Sequence, residues 1–91
     1  MDQAQFEAAL HAAGFDPAVT VTREAGGHLG IHAHPFEARA LIIDGEITLV
    51  TAEGARCYRA GDIFHLPAGL PHTETCGPAG VVYRVGRRPQ A

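Results

Sequence analysis

The chain has 91 residues, a net charge of −3 with its histidines neutral, and a hydrophobic fraction of 46%. That length builds one domain, residues 1–91, burying roughly 60 to 65% of the unfolded surface, and the composition excludes a disordered chain, while no apolar run is long enough to cross a bilayer. All seven cations are arginine, and only Arg84, Arg87 and Arg88 gather in sequence, so without a wider basic face or interleaved aromatics nucleic acid is not an expected partner.

The N-terminus, Met1-Asp2-Gln3, lacks a basic segment followed by an apolar stretch, which sets the expectation of no secretory signal and a cytoplasmic location. Residues 2–13 read as a helix, with Asp2 as N-cap, Phe6, Ala9, Leu10 and Ala13 at three- and four-residue steps, and Gly14 as the stop. Beyond Asp16-Pro17 the texture changes to short β-branched and aliphatic runs cut by Gly, Pro and Asp, which predicts a barrel over about 19–86. The predicted strands are Val19 to Arg23, Leu29 to His34, Ala38 to Ile43, Ile47 to Thr51, Arg56 to Arg59, Asp62 to Leu66, His72 to Cys76 and Val81 to Val85. Asp44-Gly45 predicts a tight hairpin and Glu53-Gly54 a second reversal. About eight short strands at even spacing predict an all-β sandwich or barrel. Cys57 and Cys76 permit at most one disulfide, and free thiols are expected in a cytosolic chain.

His32 and His34 stand one residue apart, and period-two alternation sends both imidazoles to the same side of a strand. A third ring, His72, arrives from another predicted strand within a Gly/Pro-punctuated turn. Imidazole is the commonest metal ligand, so three converging rings point to a metal centre. The bland alternative is three structural or surface histidines.

The surrounding punctuation carries a family resemblance. Gly26, five residues, His32-Ala33-His34 and a strand running to Gly45 resemble the first cupin motif. Fifteen residues on, Gly61, five residues, Pro67, one residue, Gly69, two residues and His72 resemble the second. The resemblance implies a double-stranded β-helix, the jelly-roll barrel of small single-domain cupins, with one divalent transition metal (Fe, Mn, Ni, Cu or Zn) held by the histidines. It also implies a glutamate ligand seven residues before Gly45, where this chain has Ala38. Glu37 sits one residue early, and a one-residue slip turns a side chain to the opposite face unless a bulge intervenes. Two readings follow: a three-histidine site with Glu37 outward, like that of thiol dioxygenase cupins, or a histidine-carboxylate site with Glu37 inward.

Alternation from His72 places Glu74 and Cys76 on the inward face. A carboxylate there needs a metal, a cation or a donor, so Glu74 is a candidate proton carrier or fourth ligand; the alternative leaves it at a solvated mouth. Glu37 and Glu74 are thus the candidate catalytic groups. His28, His65, Cys76 and Tyr83 are possible pocket residues, and His11 is expected in solvent. The function expected is that of a small metal-binding cupin, an oxygenase, isomerase or lyase acting on a small polar, anionic molecule. The alternative is a non-catalytic small-ligand-binding or sensor module. So small a core, with free sheet edges, predicts a homodimer.

Overall fold

The computed structural model describes residues 2–89. Helix α1, Gln3–Ala12, begins at Asp2, whose carboxylate accepts from the Gln5 backbone N–H at 2.8 Å while the Gln5 side chain accepts from the Asp2 N–H at 3.0 Å. This reciprocal capping box satisfies two donors that a helix start otherwise leaves open. Phe6 and Leu10 lie on one face of α1 and are buried with Phe15 against Leu41. Among the described residues no helix is long and apolar enough to cross a membrane.

Among the described residues six strands follow: β1 Val19–Arg23, β2 His28–His32, β3 Phe36–Thr51, β4 Gly54–Arg59, β5 Ile63–Leu66 and β6 His72–Pro89. All pairings are antiparallel. Each of the two long strands serves two sheets. The first half of β3 and the second half of β6 pair with each other, flanked by β5 and β1. The second half of β3 and the first half of β6 also pair, flanked by β4 and β2. The result is a double-stranded β-helix whose core, including Ala40, Ile42, Ile47, Phe64, Val81 and Val85, lies between the sheets.

The hairpin predicted at Asp44-Gly45 does not form. β3 runs through it, with register shifts between Ile42 and Asp44 and between Gly45 and Ile47. Gly45 has φ +73° and packs so closely on β6 that a Cβ would collide with the Gly80 carbonyl; Gly80 has φ +77°. The two glycines let β3 and β6 bend together from one sheet into the other. Two pairs of predicted strands are therefore single bent strands. The reversal at Glu53-Gly54 does form, with Thr51 and Gly54 as partners.

Candidate metal centre

β6 supplies the floor of the site. His72, Glu74 and Cys76 alternate inward and are buried, as strand periodicity requires. β2 supplies His32, which stands directly across from His72. Between Leu29 and His32 the β2–β6 register shifts, three residues on β2 facing two on β6. That extra residue breaks the parity between His28 and His32, so the two rings part: His28 is exposed on Thr75 Oγ1 at 2.8 Å, and His32 turns inward. His34, just past the end of β2, stacks on Phe36 with ring centroids 4.9 Å apart.

The three rings converge, with centroids 4.3 Å apart for His32 and His72, 4.9 Å for His32 and His34, and 5.2 Å for His34 and His72. Glu74 Oε2 lies among them, 2.8 Å from His32 Nε2, 3.1 Å from His72 Nε2 and 4.0 Å from His34 Nε2. One ligand atom from each of the four residues falls within 4.8 Å of every other. His32, His34, His72 and Glu74 thus form a cluster able to bind a metal ion.

Their outer nitrogens set the chemistry. Leu70 O accepts from His72 Nδ1 at 2.9 Å, and Gly30 O accepts from His32 Nδ1 at 2.6 Å. A ring that donates from Nδ1 presents a lone pair at Nε2 when neutral. Two such lone pairs and a carboxylate oxygen meet with no donor between them, so the centre calls for a cation or a proton. Burial, and then repulsion from His32, lowers the His34 pKa and favours the neutral, ligating imidazole.

Glu37 takes no part. Ala38 fills the inward position of β3, and Glu37 points out, where Arg88 donates to it from Nε at 3.0 Å and His65 closes the pair from β5. The hydrogen bond from His65, then that from Arg88, holds the Glu37 carboxyl below its ordinary pKa. Of the two carboxylates, Glu74 and not Glu37 joins the three histidines in the cluster. His65 is half exposed and also borders a groove of about 620 Å³ whose lining includes Leu49, Tyr58, Leu66 and Leu70.

Tyr83 is buried against a 50 Å³ cavity shared with His34 and Glu74, and burial pushes its phenol pKa up. Cys76 and His28 border a 310 Å³ pocket with Glu74. Burial also raises the Cys76 thiol, which keeps it protonated; both cysteines are free.

One partly buried charge escaped the sequence reading. Arg23 lines both the 50 Å³ cavity and the 310 Å³ pocket. The Tyr83 hydroxyl beside it holds its guanidinium above the ordinary pKa. The signal was available in the alternation Val19-Thr20-Val21-Thr22-Arg23: Val21 packs on the core, and Arg23 has the same parity.

The family profile described as Cupin domain matches residues 19–77. No curated protein matches the chain. Among solved structures, an RmlC-like cupin from Shewanella frigidimarina is 25% identical with a TM-score of 0.69, over 80% of this chain and 65% of that one. The DMSP lyase DddQ from Ruegeria pomeroyi is 27% identical with a TM-score of 0.71, over 80% of this chain and 38% of that one. An oxalate decarboxylase variant from Bacillus subtilis shares the fold at 23% identity and a TM-score of 0.66, over 79% of this chain and 20% of that one. The chain spans less than two thirds of the length of each of these.

Proposed function

The chain belongs to the cupin family, and on that premise we propose that it is a mononuclear metal enzyme of the oxygenase, isomerase or lyase type acting on a small polar molecule. His32, His34, His72 and Glu74 hold one divalent transition metal. The observation that carries this reading is the meeting of two imidazole lone pairs and a carboxylate with no donor between them. Three neutral imidazoles and one carboxylate leave a divalent ion with a net positive charge, a donor set suited to iron, manganese or nickel. Such an ion supplies Lewis-acid polarisation of a substrate oxygen.

The chain's own residues supply the rest. Gly30 O and Leu70 O fix the tautomer and aim of two rings, as hydrogen bonds behind metal-binding histidines do. Tyr83, kept protonated by burial, offers an O–H donor at the cavity wall. The names of DddQ and of the oxalate decarboxylase support catalysis on small molecules in this fold. In this reading the protein is also a homodimer, with the edge strand β2, where Ile31 is 80% exposed, as its contact.

Metal analysis of protein purified without chelator tests the proposal. Wild type is expected to retain about one equivalent of a transition metal and the His32→Ala, His72→Ala double variant none. No metal above the variant's level overturns it. Oxygen uptake by iron-loaded protein, across thiols and dicarbonyls, then separates oxygenase from isomerase or lyase chemistry.

A further inference from the structure

We propose that Arg23, with Tyr83 beside it, is the anion-recognition group of this site and takes a carboxylate of a small anionic substrate. The inference deepens the metal-enzyme reading and rests on it for the position of the substrate. Its basis is an interior donor without an acceptor. Among the described residues Arg23 Nε is buried and meets no hydrogen-bond partner, the Tyr83 hydroxyl serving the guanidinium elsewhere, although a buried donor left open is unfavourable enough that nearly all are satisfied. The ion pairs that arginines make among the described residues use Arg59, Arg84 and Arg88, and none uses Arg23.

Glu74 is the nearest candidate for a counter-charge, but among the described residues no hydrogen bond or ion pair joins it to Arg23, and its Oε2 lies against the Nε2 atoms of His32 and His72. Arg23 and Glu74 together line both cavities at the site, the 50 Å³ space with His34 and Tyr83 and the 310 Å³ pocket with His28 and Cys76. The smaller space admits a group the size of one carboxylate, given that a water in the liquid occupies about 30 Å³. Arg87 also borders that space, over the Phe36 ring at 5.0 Å. Two guanidinium groups and a divalent ion against the single charge of Glu74 leave a surplus that an anion neutralises. A planar guanidinium matches a carboxylate in geometry as well as sign.

The test is calorimetric titration of malonate, and of its neutral isostere malonamide, into metal-loaded and metal-free protein. Wild type is expected to bind malonate, and Arg23→Gln to bind it about tenfold or more weakly, with the metal content of the purified variant unchanged. Malonate affinity within twofold of wild type in R23Q, equal affinity for malonamide, or no malonate binding by either form of wild type overturns the proposal. Loss of the metal reading shows separately, as wild type that retains no metal; Arg23-dependent malonate binding by the metal-free protein then still upholds the anion site. If R23Q fails to fold, the Arg23 Nε–H resonance of wild type decides. It is expected to shift on malonate addition, and an unmoved resonance overturns the assignment.

Discussion

The two faces of the sheet formed by β3 and β6 handle charge in opposite ways. On the outer face, Glu7 accepts from Arg84 Nε at 2.9 Å and Glu37 from Arg88 Nε at 3.0 Å, while Arg88 also donates to Ala13 O at 2.9 Å, so each carboxylate has a cationic donor from the same chain. On the inner face, Glu74 meets imidazole nitrogens whose donors are already spent on backbone carbonyls. The outer face is complete as folded. The inner face calls for a cation or a proton, and this difference separates charges that are paired as folded from a cluster able to bind a metal ion.

The largest effect that bears on this contrast is expected from the apolar side. Phe6 is 1% exposed and anchors α1 through Leu10, Phe15 and Leu41. Phe6→Ala is expected to lower unfolding free energy by about 3–5 kcal/mol while leaving metal content as in wild type, read by denaturant unfolding and metal analysis of the folded fraction. Loss of metal in proportion to stability would show that the two faces are not independent.

Glu74→Gln is the complementary change. It keeps the shape and removes the charge that would offset a bound metal, and metal affinity is expected to fall on the order of 100-fold. Without metal the same variant is expected to be at least as stable as wild type, because it removes a buried charge that faces two imidazole lone pairs. A metal-free E74Q clearly less stable than wild type would mean that the carboxylate already has its donor. Glu37→Gln is expected to do the reverse, weakening the outer face slightly and leaving metal affinity within twofold, by competition against a chromogenic chelator.

Much of this contrast was legible in the chain. Period-two alternation alone separates Ala38 from Glu37 and places His72, Glu74 and Cys76 together, and the helix was readable from its cap and stripe. What misled was Gly45. A glycine at positive φ serves a tight turn and a sheet-to-sheet bend equally well, and the partner that decides between them, Gly80, is far along the chain. The separation of His28 from His32 depended likewise on a bulge between β2 and β6, a property of the pairing and not of either segment. Arg23 was legible by parity, but its open donor emerges only when β1 is laid beside Tyr83.

Acid provides the finest division between the two faces. Hydrogen bonding to Arg84, then to Gln3, lowers the Glu7 pKa, and hydrogen bonding to His65, then to Arg88, lowers that of Glu37, both from an ordinary 4.5. A carboxyl whose pKa is depressed by folding contributes stability that is present above its unfolded value and lost as pH falls through its folded one. The stability of wild type is therefore expected to decline as pH drops below about 4.5, and the Glu7→Gln, Glu37→Gln double variant to be less stable at neutral pH yet flatter across that acid range. Thermal unfolding against pH measures both. Because these ion pairs lie on the outer face, the difference between the two curves is expected to persist in the His32→Ala, His72→Ala background, where no metal is held. If the difference vanished there, the acid sensitivity would belong to the inner cluster, and the division of labour between the faces would fail.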